Sequence, residues 1–391
     1  MKKNTMLFFS LIVSIFFVGC SGNQTQKAMQ NVLTTEWQAY TQDKTNFSGG
    51  LAMQVISPKG EFFVSTGMGE DMSNTTHFRA ASCTKTFTAA AIMLLSEQGK
   101  LNIDDKITDN IPGTSTPYIP ATSDFDIPYK SQITIKMLLM HRAGVFDVAN
   151  QSDPGTEINY LDYILTLDPS HQLTFDELVR FVATNHLSNS VPDTEYHYSD
   201  TGYSILGKII ERVADKPYAE YIQDNLFTLN NLDDSVMVVD SFDQELPVPY
   251  ISGYRWDGSN STDVTKGNMS PHVAEGSITT TPKDLTNWIY KLMKSQAGLS
   301  STTVEMMKSG LPSGGGSTYG LGISNPSLVD YGHAGAHAGY LTLMYYRPET
   351  DTAYVLFSNI WNMSDGATSL YAQIAAMQTI ADKVITAEIA E

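Results

Sequence analysis

Phe78-Arg79-Ala80-Ala81-Ser82-Cys83-Thr84-Lys85-Thr86-Phe87-Thr88 marks the point where the period of the chain changes. Upstream, residues 51–56 and 61–66 are β-rich and are separated by Ser57-Pro58-Lys59-Gly60, a turn composition that predicts a hairpin. Downstream, Phe87, Ala90, Ala91, Leu94 and Leu95 recur at helical spacing until Gly99 stops the pattern. Ser82 therefore stands at a helix N-terminus, and Lys85, three residues on, shares its face one turn away. The lysine amine can reach the serine hydroxyl across that turn. A helix N-terminus also supplies free backbone N–H groups and a dipole that stabilises developing negative charge. Partial burial there lowers a lysine pKa, the direction in which a base must move. A serine N-cap followed by a solvated lysine has the same spacing, so the four residues alone do not decide. Cys83 lies one residue, about 100° of helix, from the face of Ser82 and reads as packing.

Residues 23–40 predict a tether followed by a helix with Met29, Val32, Leu33 and Trp37 on one face. From about residue 104 to 284 the pattern is helices joined by long polar loops, such as 111–128 and 150–172, a length common in loops that wall a binding site. The last third returns to strands at 319–323, 340–347 and 353–357, the last two around a turn at 348–351. A closing helix carries Leu370, Ile374, Met377, Ala381 and Val384. Gly314-Gly315-Gly316-Ser317 lacks the lysine and helix of a phosphate loop and reads as a flexible connection. The expected class is α/β (α+β): an antiparallel sheet built from the N- and C-terminal segments and flanked by helices, with a mainly helical region inserted. The sheet region is expected over 41–81 and 285–391 and the helical region over 82–284, with the active site in the cleft between them.

Two further segments stand out. Tyr198-Ser199-Asp200-Thr201-Gly202-Tyr203 precedes a helix with Ile205, Leu206, Ile209, Ile210 and Val213 on one side. Asp200 fits the N-cap of that helix as well as it fits a functional position. His333-Ala334-Gly335-Ala336-His337 leads into the strand at 340. A metal held by His333 and His337 does not fit an extended segment, where the two lie about 13 Å apart.

The segment 78–88, continued by Glu97-Gln98-Gly99-Lys100-Leu101 and Asp104-Asp105, closely resembles the nucleophile segment of the β-lactamase-like serine hydrolases, which include penicillin-binding DD-peptidases and class C β-lactamases. Tyr198-Ser199-Asp200 resembles the Tyr-x-Asn element of that family, and His333-Ala334-Gly335 its Lys-Thr-Gly or His-Thr-Gly element. Leu138-Leu139-Met140-His141-Arg142-Ala143-Gly144 and Tyr319-Gly320-Leu321-Gly322 resemble further family segments and read as mainly structural. The likeness runs from about residue 49 to 357 and implies the β-lactamase/transpeptidase fold. It implies that Ser82 attacks a carbonyl, that Lys85 and Tyr198 shuttle the proton, and that water releases the acyl-enzyme. A phenol works as a base only if nearby positive charge lowers its pKa, and Lys85 is the expected source. It also implies an oxyanion hole from the N–H groups of Ser82 and Ala336, and substrate contacts from Asp200, His333 and Gly335. Where the family has Asn, an ionised Asp200 can only accept hydrogen bonds. Ala334 removes a hydroxyl that in relatives helps hold a substrate carboxylate. His333 is expected to read such a carboxylate while it is charged, below a pKa near ~6.5. No cofactor is implied.

The formal charge of −18 speaks against nucleic acid as a partner and against electrostatic attachment to anionic lipid. The N-terminus offers another route to the membrane. Lys2 and Lys3 precede an apolar run from residue 6 to 18, shorter than the ~20 residues needed to span a bilayer. The run ends in Phe17-Val18-Gly19-Cys20, which resembles a bacterial lipobox, with Phe17 in place of the usual Leu. Residues 1–19 are thus expected as a lipoprotein signal, Cys20 as the lipidated residue, 20–40 as tether and helix, and 41–391 as the hydrolase domain of an exported, membrane-anchored protein. An ordinary cleaved signal peptide is the plainer alternative. If Cys20 carries lipid, Cys83 has no disulfide partner.

The expected substrates are small molecules or peptides, with D-alanyl-D-alanine cell-wall peptides (peptidoglycan stem peptides) first. A β-lactamase or a short-chain esterase of the same family is the alternative, and a non-catalytic penicillin- or peptide-binding lipoprotein is the rival of another class.

Overall fold

The structure, a computed structural model, describes residues 12–154 and 158–390. Residues 1–11 of the expected export signal lie outside the described residues, as does the side chain of Cys20. Among the described residues no helix is long and apolar enough to cross a membrane.

The hairpin upstream of Ser82 forms as β1 (Leu51–Ser57) and β2 (Gly60–Thr66), closed by the pair Ser57 and Gly60. The C-terminal third adds β3 (Leu311–Gly314), β4 (Ser317–Tyr319), β5 (Ser324–Asn325), β6 (Tyr331–His337), β7 (Tyr340–Arg347) and β8 (Thr352–Ser358). They make an eight-stranded antiparallel sheet in the order β2-β1-β8-β7-β6-β5-β4-β3. The pairing of β1 with β8, Leu51 opposite Ser358, joins the two ends of the chain in one sheet.

One local expectation needs correction. Residues 319–323 are not one strand: Gly320 N donates to Ile323 O at 2.8 Å and Gly322 turns at φ +73°. A side chain at 322 would collide with Ala89, so the turn needs glycine there. Gly314, Gly315 and Gly316, read as a connection, form the β3–β4 turn, all at positive φ.

Strand alternation explains why both faces of the sheet are buried. Leu51, Met53, Val55, Leu341, Leu343, Tyr345, Tyr354 and Leu356 face two terminal helices, α1 (Ile12–Thr41) and, later in the chain, the closing helix Gly366–Ala390. Met29, Leu33 and Trp37 meet them from α1, which runs unbroken from Ile12 in place of a tether. Ala52, Met344, Tyr346, Val355 and Phe357 face the opposite way, into the core shared with α2 (Thr84–Glu97).

Nearly every side chain of α2 is buried, including Thr84, Lys85, Thr86 and Thr88. Its hydroxyls are satisfied locally: Thr86 Oγ1 donates to Cys83 O at 2.8 Å and accepts from Trp288 Nε1 at 2.8 Å. Phe87 stacks on Trp288 with ring centroids 4.0 Å apart. Removing such a buried ring costs about 3–5 kcal/mol. Gln98 caps the helix and Gly99 leaves it at φ +69°. A third helix, α3 (Asp200–Ala214), packs against α2 and carries Ile205, Leu206, Ile209 and Ile210 into the core.

Candidate active site

Ser82 sits in a single 3-10 turn, Ala81–Cys83, that leads into α2. Ala81 holds φ +50°, a left-handed conformation that costs a non-glycine residue about 1–3 kcal/mol and survives only where packing enforces it. The enforcing element is β6. A β-carbon on Gly335 would collide with the Ala80 carbonyl oxygen and lie 3.2 Å from Ser82 N, so only glycine lets strand and turn approach this closely.

The sheet register shows which backbone groups β6 leaves free. His337–Tyr340, Gly335–Thr342 and His333–Met344 are opposed pairs, and His337 and Tyr340 close a two-residue turn. Hydrogen-bonded and non-bonded pairs alternate in an antiparallel ladder, so Ala334 and Ala336 turn their N–H and C=O groups away from β7. On that side β5 reaches only Gly332, through Ser324. The Ala336 N–H therefore points off an open sheet edge next to the Ser82 turn, an arrangement suited to an oxyanion hole.

Lys85 is fully buried, with two directed hydrogen bonds and two ion-pair contacts at its ammonium. Nζ lies 3.1 Å from Ser82 Oγ, 3.0 Å from Glu275 O and 2.6 Å from Asp200 Oδ1. Glu275 Oε2 is 3.6 Å away. Burial pushes the ammonium down, but the carboxylates of Asp200 and Glu275 outweigh it and leave Lys85 above its ordinary value. The neutral resting lysine expected from its place at the helix terminus is therefore corrected: two acids hold it charged.

Asp200 is not the N-cap of α3. Ser199 is, accepting from Gly202 N at 3.2 Å, which frees the Asp200 carboxylate to turn inward. Its Oδ2 accepts from Asn150 Nδ2 at 2.8 Å, and Asn150 also reaches Asp147 Oδ2 at 2.9 Å. Oδ1 receives no directed hydrogen bond, so its contact with Lys85 is ionic. Glu275 arrives on the segment after Ser270–His272, brought close because Gly207 of α3 has no side chain. A β-carbon at 207 would sit 2.9 Å from the Ala274 methyl. Glu275 Oε1 pairs with His272 Nδ1 at 2.5 Å, and the His272 ring meets that of His337 edge-on at 5.3 Å.

Tyr198, partly exposed, lies between Lys85, whose Nζ is 4.9 Å from the ring centroid, and His141, stacked on it at 4.2 Å. His141 is held by Ser199 N, which donates to its Nδ1 at 3.1 Å. Burial and the Asp200 carboxylate push the Tyr198 phenol well above its ordinary value, and a hydrogen bond to Ser82 pulls it only partly back. The expected lowering by Lys85 fails because burial raises the phenol and the Asp200 carboxylate adds to the same effect.

His333 is corrected more fully. Its Nδ1 lies 2.5 Å from the Ala334 carbonyl, an acceptor only, so Nδ1 carries the proton. Nε2 is then the acceptor for the Tyr319 hydroxyl at 2.9 Å. Burial, and secondarily Lys85, push its pKa down to about 3. Neither ring nitrogen is left over, and no charge exists near neutrality to read a carboxylate. Ala334 packs toward the terminal helices rather than the cleft, so a hydroxyl at that position would face away from substrate. Cys83 is buried, with its thiol donating to His333 O at 3.5 Å and pushed up by burial.

A family model described as Beta-lactamase matches residues 42–378. The chain belongs to the beta-lactamase family. Protein flp of Staphylococcus aureus is 30% identical over 179 residues, which cover 43% of this chain and 31% of that protein. Penicillin-binding protein 4* of Bacillus subtilis is 25% identical over 284 residues, 68% of this chain and 57% of that protein. The chain thus spans about a third of the length of the first of these relatives. Among solved structures, D-amino acid amidase from Ochrobactrum anthropi SV3 superposes with a TM-score of 0.72 at 22% identity, covering 93% of this chain and 98% of that one. At that identity the likeness is one of fold.

Within this beta-lactamase family member, the structure brings Ser82, Lys85, Tyr198, Asp200, Gly335 and Ala336 into one site. It adds Glu275, His272, His141 and Asn150, which sequence reasoning missed. His272-x-x-Glu275 is an i, i+3 acid–base pair, and His141 lies in a segment set aside as structural; those were the available signals.

Proposed function

We propose that the protein is a serine hydrolase in which Ser82 forms an acyl-enzyme from an amide or ester, with Lys85 as its immediate proton partner and Tyr198 closing the site. The observation that carries this reading is the contact of Lys85 Nζ with Ser82 Oγ at 3.1 Å beside the free N–H edge of β6. Ser82 N and Ala336 N hold the developing oxyanion, and the open strand edge aligns the acyl chain. The neighbouring structure is named for D-amino acid amides and one curated relative for penicillin binding. An uncharged leaving group suits the site better than a free C-terminal carboxylate, because His333 is neutral and Lys85 is committed to Asp200 and Glu275. Small D-amino acid amides and short esters therefore rank ahead of D-alanyl-D-alanine cell-wall peptides and β-lactams. A panel of these four substrate types at fixed enzyme concentration tests the ranking. Hydrolysis confined to C-terminal D-alanyl-D-alanine peptides would overturn it.

Export and lipid attachment at Cys20 belong to the same proposal, supported by Lys2, Lys3, the apolar run and Gly19-Cys20. Membrane fractionation of the wild type against Cys20→Ala tests it. A wild-type chain that is unmodified and starts elsewhere would refute it.

A further inference from the structure

We propose that Asp200 makes Lys85 a base by storing one of its protons during attack. The proposal rests on the reading of Ser82 as nucleophile and adds the destination of the proton. Lys85, held charged by its two acids, donates to Ser82 Oγ and Glu275 O and is ion-paired with Asp200 Oδ1, so it has no lone pair for the serine proton. Asp200 Oδ1 is the partner placed to relieve it: 2.6 Å away, buried, and receiving no directed hydrogen bond. Glu275 Oε2 is farther, at 3.6 Å, and its other oxygen is engaged by His272. Asn150 pins Asp200 Oδ2, which fixes Oδ1 toward Lys85.

The steps balance. An Nζ–H bond breaks and an Oδ1–H bond forms, leaving a neutral amine and a neutral acid. The amine turns about its Cε–Nζ bond, takes the Ser82 proton, and the serine oxygen pair forms the bond to the acyl carbon. On collapse of the intermediate Lys85 gives a proton to the leaving group, and Asp200 returns the stored proton to Lys85. Asp200 exchanges its proton only with Lys85 and acts on Ser82 through it.

This assignment predicts a pH signature, because a proton moved from Lys85 to Asp200 never leaves the protein. With Asp200→Asn, Lys85 must lose its proton to solvent before attack, so activity comes to depend on pH. The groups facing the pair are Glu275 and His272 on the 270–276 segment, Tyr196, Tyr198 and Tyr203 around the start of α3, and His141 and Asp147 on the preceding loop. His333 and Tyr319 face it from the sheet, Cys83 from α2, and Tyr218 from across α2. Burial keeps the tyrosines and Cys83 protonated and His141 and His333 neutral. Asp147 is raised to about 7, by burial and then by Asp200, so both enzymes are compared in an Asp147→Asn background.

The experiment measures kcat/KM for a neutral ester from pH 6 to 8 with and without Asp200→Asn, together with Ser82 labelling by an acylating probe. The expected result is a loss of about 10²-fold at pH 7 in the Asp200→Asn protein, in the range of a positioned base. The ratio of the two rates should narrow about tenfold per pH unit, as one proton release requires. If Ser82 is labelled in both and the rates run parallel, the role of Asp200 is overturned while the nucleophile stands. If Ser82 is unlabelled in the wild type, both fall. Should Asp200→Asn not fold, the Asp200 enzyme in the Asp147→Asn background still decides: unit slope in kcat/KM between pH 6 and 8 overturns the proposal, and a level profile supports it.

Discussion

Gly335 lies against Ala80 so closely that the strand and the Ser82 turn share one backbone contact with no room for a side chain. That contact sets where the Ala336 N–H points relative to Ser82. Gly335→Ala should push β6 off the turn, costing about 1–3 kcal/mol of stability as overpacking does. A displacement near 1 Å at the reacting centre costs roughly 10²-fold in rate. Urea denaturation and kcat/KM on one ester check both, and a variant with full activity would show that β6 does not shape the site.

Lys85→Ala should be far more damaging to stability than Ser82→Ala. Removing the cation leaves Asp200 and Glu275 buried near each other without compensation, a loss of about 3–5 kcal/mol for a broken buried pair. Ser82→Ala removes hydrogen bonds to Lys85 and Tyr198, each worth about 0.5–1.5 kcal/mol. Parallel urea titrations compare them. Equal losses would mean that the acids do not depend on Lys85.

His333 should lower stability as pH falls. It is neutral in the fold down to about 3, while the unfolded chain binds its proton near 6.5. The unfolded state therefore holds more protons between those values, and stability drops with falling pH across that window. His141 and His337, also lowered by burial, act in the same sense. His333→Gln should flatten part of the slope of Tm between pH 4 and 6.5, as read by calorimetry. The same neutrality predicts that selectivity between carboxylate-bearing and neutral substrates does not change from pH 6 to 8.

Cys83 should be unreactive in the native protein. Its thiol is buried, turned to the His333 carbonyl and pushed up by burial. In a Cys20→Ser background, Ellman's reagent should give no signal until denaturant is added. Rapid native labelling would show that the core around α2 opens.

The parts legible in the sequence were those with local periodicity. The hairpin before Ser82, the helix from Thr84 to Glu97 and the three-residue spacing of Ser82 and Lys85 follow from side-chain spacing within one element. Tyr198, Gly335 and Ala336 were legible only through resemblance, because nothing in their own spacing places them beside a serine more than a hundred residues away. The charge state of the site was not legible at all. It depends on Glu275 and Asp200 converging on Lys85 from the 270–276 segment and the first turn of α3, and on which of Ser199 and Asp200 caps α3. Either residue type caps well, so the choice is made by packing. His333 illustrates the same limit: only the positions of Tyr319 and the Ala334 carbonyl reveal that both its nitrogens are used.

The most direct measurement of the central claim is mass spectrometry of the protein after reaction with an acylating serine-hydrolase probe, followed by peptide mapping. A single adduct on Ser82 is expected, absent from Ser82→Ala while that variant keeps its fold. An adduct on Cys83 or on another serine, or turnover that survives Ser82→Ala, would contradict the assignment of Ser82 as the nucleophile.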